Sequence, residues 1–151
     1  MGDPTLKQQI HDEMTAAMKS GDKLKLGTLR MLSAAVVNRE KDVLHELSDD
    51  EVREIAAREV KRRNESIEAF AQGGRADLVE KESAEREILK AYAPEQLSEA
   101  EVDALVEEAI ATTGASSPKE MGKVIGVVMG KAKGKVDGAV VQAKVRVRLG
   151  G

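Results

Sequence analysis

Two serines, Ser48 and Ser98, are each followed three residues later by a glutamate, Glu51 and Glu101, and then by apolar residues at helical spacing. That pairing satisfies two backbone amides which a helix start leaves open, so it marks a helix N-terminus more specifically than composition can. Other starts carry related signatures. Asp3-Pro4 opens a first helix, and Ser117-Pro118-Lys119-Glu120 joins a capping box to a proline at the first helical position. Gly21, Gly73-Gly74 and Gly114 stand where helices should stop.

Between these marks the apolar residues recur every three or four positions, the signature of amphipathic helices. Leu6, Ile10, Met14 and Ala17 line the first helix, and Leu24, Met31, Leu32, Ala35, Val36 and Val43 line a longer second one running to Glu46. Val52, Ile55, Ala56, Val60, Ile67 and Phe70 line a third, and Leu78, Ile88, Leu89 and Tyr92 a fourth. Pro94 ends that helix, and a polar link leads to the Ser98 cap. Three shorter helices follow, over 98–113, 117–132 and 137–149. The alternating "VRVRL" of the last is still read as helix, because a lone strand would have no partner. The chain is therefore expected to be all-α, with an N-terminal bundle of about four helices over residues 1–93 and a small three-helix C-terminal tail domain over 94–151.

Chemistry is sparse in this sequence. Phe70 and Tyr92 are the only aromatics, which argues against a single-strand nucleic-acid platform built on stacked rings. There is no cysteine, and His11 and His45 stand alone without metal-ligand spacing, so no metal site is expected. Ser116 and Ser117 belong to the helix cap. No Walker loop, G-x-S-x-G or G-x-G-x-x-G is present, so no catalytic residue, no cofactor and no enzyme activity of the isolated chain is expected. The N-terminus lacks a signal-peptide pattern and no apolar run approaches a membrane span, which leads to the expectation of a soluble, cytoplasmic protein without membrane contact.

Charge and glycine supply the functional signal. Six acids and no base lie between Glu95 and Pro118, whereas residues 119–151 hold eight bases against two acids, so this part of the chain reads as a dipole. Glycines recur every fourth residue, at Gly122, Gly126, Gly130, Gly134 and Gly138, threaded with lysines. On a helix a glycine costs about 0.8–1 kcal/mol relative to alanine, so close packing or close approach of an anion must offset it. In "KAKGKVDG", Gly134 and Gly138 can take positive φ and bare amides before a helix N-terminus, a reasonable anion seat. The candidate RNA-binding residues are Lys119, Lys123, Lys131, Lys133, Gly134, Lys135, Gly138 and Lys144. Elsewhere, Lys61, Arg62 and Arg63 are read as paired within their own acidic helix, and Arg39 with Glu82 as an ion pair between helices.

The segments "LRMLSAAVVNRE", "GGRADLVEKESAEREILKAYAPEQLSEAE" and "GASSPKEMGKVIGVVMGKAKGKVDGAVV" resemble the bacterial YqeY family over nearly the whole chain. The combination of the "P-x-Q-L-S" link, the "MGKV" helix start and the "G-K-V-D-G" loop is the specific part. That family is similar to the C-terminal helical and tail portion of GatB, the subunit of the tRNA-dependent amidotransferase. The resemblance implies an all-α protein whose tail contacts tRNA, without the catalytic domain that precedes that tail in GatB. Its pattern falls on Met121, Gly122, Lys123, Val124, Lys133, Gly134, Asp137 and Gly138. Gly126 and Gly130 lie outside it and are read as local packing or tolerance.

The resulting expectation is a non-catalytic module for tRNA or other structured RNA, with no role in binding DNA. Two alternatives stand beside it. One is a protein-interaction module using the last helix, where Val141, Val145 and Leu149 form a stripe opposite Val136, Val140 and Val147. The other is an accessory of tRNA-dependent amidation, a carbon-nitrogen ligase reaction with glutamine as amido donor, which only the resemblance implies.

Overall fold

The computed structural model describes residues 3–150. Among them are seven α-helices and no strand: α1 Leu6–Ser20, α2 Lys23–Val43, α3 Asp49–Gln72, α4 Ala76–Lys90, α5 Glu99–Thr113, α6 Met121–Ala132 and α7 Gly138–Arg148. A 3-10 turn, Pro118–Glu120, leads directly into α6. The chain is all-α, and it divides into two compact units, Met1–Pro94 and Glu95–Gly151.

The capping boxes form as the spacing predicts. The Ser48 hydroxyl accepts from the Glu51 amide at 3.2 Å while the Glu51 carboxylate accepts from the Ser48 amide at 3.1 Å, and Ser98 and Glu101 reproduce the exchange. Accepting those amides holds the Glu51 and Glu101 carboxyls below their ordinary range. The first helix starts later than Asp3-Pro4 suggests. Thr5 is its cap, accepting from the Gln8 amide at 3.1 Å, because its extended backbone lets the hydroxyl reach into the first turn.

The second helix stops at Val43 rather than Glu46. Leu44 turns left-handed, with φ of 60°, and its side chain is 88% exposed. The reversal has a polar cause: the Glu40 carboxylate reaches over the helix end to accept from the Leu47 amide at 2.9 Å and from Lys7 Nζ at 2.8 Å. The Lys7 bond and then the Leu47 amide hold the Glu40 carboxyl low. A second tie, the Leu6 amide to Asp49 Oδ1 at 3.0 Å, fixes the start of α1 to the start of α3.

The core of the first unit is aliphatic, built on Leu29, Leu32, Val52, Ala56 and Leu89, with Leu6, Ile10, Val36, Val60 and Tyr92 around them. Burying each leucine, isoleucine or valine side chain among them contributes about 1.5–3 kcal/mol. The α3–α4 hairpin also buries charge. Arg63 is only 6% exposed, and its Nε lies 2.9 Å from Glu85 Oε2 and 3.4 Å from Glu82 Oε2, with Glu59 Oε2 3.9 Å from Nη2. Neither Arg63 Nε nor Glu82 Oε2 makes an aligned hydrogen bond among the described residues, so the attraction there is Coulombic. Two sequence readings are corrected by this cluster. Glu82 pairs with Arg63 and not with Arg39, which is exposed, and Arg63 reaches across to α4 instead of pairing only within α3.

In the second unit, α5, α6 and α7 surround Val106, Val124, Val128, Val141 and Val145, with Val102, Ala109 and Leu149 beside them. The sequence pattern presented Val141, Val145 and Leu149 as a stripe for the N-terminal helices or a partner. They are core, because this face of α7 meets α5 and α6 within the unit. The face that remains outside is the opposite one.

Candidate nucleic-acid interface

Each turn of α6 sets one side against the core and one side outward. Val124, Val128 and Ala132 are buried, while Gly122, Lys123, Gly126 and Gly130 are exposed. A step of 100° per residue places Gly126, Gly130 and Lys123 nearly opposite the buried row. A methyl group added at Gly122, Gly126 or Gly130 would meet nothing within 4 Å. Close packing therefore does not account for Gly126 and Gly130. What they leave is a strip of bare helical backbone facing outward.

The approach to this strip is arranged by the 3-10 turn. Glu120 folds its carboxylate back to accept from the Ser116 amide at 2.7 Å and the Ser117 amide at 3.2 Å, and these bonds hold its carboxyl low. Lys119 and Lys123 remain exposed, one turn apart at the N-terminal end of the strip, and among the described residues neither has a carboxylate within ion-pair distance.

The other sequence candidates divide. Lys131 binds Glu108 at 2.6 Å, and Lys144 binds Asp103 at 2.8 Å and Glu99 at 3.2 Å. The hydrogen bond to Asp103 raises the Lys144 ammonium above its ordinary value. Arg148 reaches Glu107 at 2.7 Å. The dipole read along the sequence is thus folded onto itself, acid helix α5 facing the bases of α6 and α7. Lys133 also has an interaction of its own. Lys119, Lys123, Lys135 and Arg146 have no carboxylate within ion-pair distance among the described residues, although Lys123 lies near enough to Glu120, and Lys135 to Glu101, to help lower those carboxyls.

In the "KAKGKVDG" loop the expected positive φ is corrected at one of the two glycines. Gly134 does take positive φ, 77°, but Gly138 does not, since it is the first residue of α7. The Asp137 carboxylate already accepts from the Ala139 amide at 2.9 Å and caps α7, so an acid occupies the place an anion would take. The loop's carbonyls are engaged as well. Gly134 O accepts from Gln96 Nε2 at 2.9 Å, and Lys135 O accepts from the Leu97 amide at 2.8 Å. Gly134 therefore serves a turn that clamps the Gln96-Leu97 link.

His11 and His45 are exposed, and His45 Nε2 lies 3.8 Å from Glu51. No group of three potential ligands capable of holding a metal ion occurs among the described residues. Sequence reasoning missed the Arg63 hub and the pairing of α5 with α6 and α7. The i, i+4 rows of acid on α5 and base on α7 were the signal available for the second.

The sequence pattern of Yqey-like proteins matches residues 7–149. The chain belongs to the YqeY family. This YqeY-family chain is 32% identical to a protein of Pyrenophora tritici-repentis over 104 residues, 68% of its own length and 58% of the relative's. A Lachancea thermotolerans protein is 33% identical over 112 residues, 72% of this chain and 60% of the relative. One from Eremothecium gossypii is 33% identical over 114 residues, 70% of this chain and 62% of the relative. All three bear the name altered inheritance of mitochondria protein 41, mitochondrial. The chain spans about three fifths of the length of these curated relatives.

Those names overturn the expectation of a cytoplasmic protein. That expectation rested on the missing signal-peptide pattern and on missing apolar spans, which bear on export and membrane insertion and are silent about delivery to an organelle. Among the described residues no helix is long and apolar enough to cross a membrane.

Proposed function

We propose that this YqeY-family protein binds structured RNA, with tRNA the first ligand to test, through the outer face of α6. The observation that carries the reading is the exposed strip of bare backbone at Gly122, Gly126 and Gly130, with Lys119 and Lys123 at its N-terminal end and neither within ion-pair distance of a carboxylate among the described residues. A phosphate backbone can approach such a strip without meeting side chains, and the two ammonium groups neutralise it. Lys135 adds a third cation beyond the end of the helix. Lys131 and Lys144 belong to the fold, since each already holds a carboxylate of α5.

Fluorescence anisotropy with labelled tRNA, titrated from about 50 to 200 mM salt, tests the reading. Lys119→Ala with Lys123→Ala should weaken binding and lower the salt slope by about 2, roughly one for each phosphate left without its ammonium. Lys131→Ala should leave both nearly unchanged. No binding at the lowest salt, or an unaltered slope in the double variant, would sink the proposal.

A further inference from the structure

Tyr92, the only tyrosine of the chain, lies just beyond the end of α4 and is 8% exposed. It joins the apolar core of the first unit, yet its phenol O–H has no hydrogen-bond partner among the described residues. A buried tyrosine hydroxyl usually finds one, so an unpaired O–H needs a reason. Tyr92 lines a cavity of about 500 Å³ between α1, α2 and the end of α4. That volume suits a small organic ligand.

The other walls carry opposed charges in unequal number. Gln9, Asp12 and Glu13 stand at i, i+3 and i+4 on one face of α1, and Lys25 enters from α2. Glu13 Oε2 accepts from Lys25 Nζ at 2.8 Å, a bond that raises the Lys25 ammonium above its ordinary value, so these two neutralise each other. Asp12 has no cation within ion-pair distance among the described residues. Gln9 donates from Nε2 to the Pro4 carbonyl at 3.2 Å, which leaves its amide oxygen as an acceptor. Burial pushes the Tyr92 phenol up, Glu13 adds to the rise and Lys25 opposes it, as expected of a hydroxyl beside that pair. Ile88 and Ala91 supply the apolar wall. They stand where α4 ends, and the partial negative charge of a helix C-terminus favours a cation there. Lys90, in the same turn, is taken up by Glu87 at 3.3 Å.

The cavity thus holds one carboxylate in excess, a helix end of the same sign, neutral oxygen acceptors and an apolar patch. An anion finds no free partner, since the one ammonium among the lining residues is held by Glu13. A metal ion finds too few ligands, because no group of three that could hold one occurs among the described residues. We propose that this cavity binds a small aliphatic ammonium ion, its N–H groups meeting the Asp12 carboxylate and the Gln9 and Tyr92 oxygens, its carbon chain lying on Ile88 and Ala91. The ammonium can arrive on a free amine or on a lysine side chain, with the same chemistry. The site belongs to the first unit and does not rest on RNA binding.

Pentylamine, pentanol and pentanoate share one carbon chain and differ in head-group charge at neutral pH. Titrated into the full chain, pentylamine should saturate with a dissociation constant of about 1 mM. It should change the Tyr92 emission, which reports this cavity alone because the chain has no tryptophan, and shift the amides of α1, the start of α2 and residues 88–92. Pentanol and pentanoate should bind at least about tenfold more weakly. Asp12→Asn, at an exposed position, should weaken pentylamine by about tenfold. Adding Glu13→Gln leaves Lys25 unpaired and should make pentanoate the better ligand. Tyr92→Phe, followed by amide shifts, should weaken pentylamine by about fivefold without lowering the urea midpoint, because the fold does not use the O–H. Nα-acetyl-lysine methylamide beside pentylamine separates the two sources, and saturable binding of either supports the site. Equal binding of pentanol or pentanoate, shifts away from these walls, or no saturation by either ammonium would overturn the proposal. So would unchanged affinity in Asp12→Asn, or a lowered urea midpoint in Tyr92→Phe, which would assign the O–H to the fold.

Discussion

Replacing the three outward glycines of α6 with alanine should strengthen the fold and weaken RNA binding at once. None of the three has positive φ, and an added methyl meets no atom within 4 Å, so alanine introduces neither strain nor clash. Gly126 is central in the helix and should give close to the full propensity gain of about 1 kcal/mol. Gly122 and Gly130 lie in the first and last turns, where the gain falls to about half. The triple variant should therefore be about 2 kcal/mol more stable, part of it through the less flexible unfolded chain. Hydrogen exchange at the Val124 and Val128 amides reads this locally, and protection should rise by roughly 30-fold. Binding should move the other way, because three methyl groups lift a phosphate backbone off the strip. A fall in protection would refute the open geometry of α6. Raised protection with unchanged tRNA affinity would refute the role of bare backbone.

Other consequences follow from pairs of groups. Arg63→Met leaves Glu59, Glu82 and Glu85 facing one another and should cost about 3–5 kcal/mol in urea denaturation, whereas Glu82→Gln relieves excess negative charge and should cost under about 1 kcal/mol. Leu44→Asn removes a left-handed leucine that is almost fully exposed and should stabilise by about 0.5–1 kcal/mol, read as a raised urea midpoint. The Glu51, Glu101 and Glu120 carboxyls are depressed in the fold, so their stabilisation is present above the ordinary value of 4.5 and is lost as pH falls through the lower folded values. Circular dichroism during acidification should show helix loss beginning below that value. Glu101→Gln, which keeps a capping acceptor without a titrating proton, should remove part of the acid limb; an unchanged limb would exclude the box as its source.

The helices were legible because their causes are local. Ser48, Ser98 and Gly114 act on amides and carbonyls within a few residues, so the sequence window contains the whole interaction. The end of α2 was not legible for the opposite reason. It depends on Glu40 meeting Lys7 from a different helix, and neither residue marks a stop by its identity. The Arg63 hub is hidden in the same way: "VKRRNES" reads as a solvated basic cluster until α4 brings Glu82 and Glu85 alongside.

Charge on the candidate interface shows how the same limit operates on function. Counting bases from residue 119 onward predicts a positive tail, but a count cannot distinguish a cation that holds the fold from one that meets a ligand. The packing of α5 against α6 and α7 makes that distinction, engaging Lys131, Lys144 and Arg148 while Lys119, Lys123, Lys135 and Arg146 have no carboxylate within ion-pair distance among the described residues. Glycine divides similarly. Gly134 is needed for a left-handed turn and Gly138 begins a helix already capped by Asp137, whereas Gly122, Gly126 and Gly130 bear a conformational cost that no contact within the fold offsets. The even four-residue spacing thus conceals two kinds of position. Within this run only the outward set on α6 bears a cost that no contact in the fold offsets, a property that Gly27 in α2 shares.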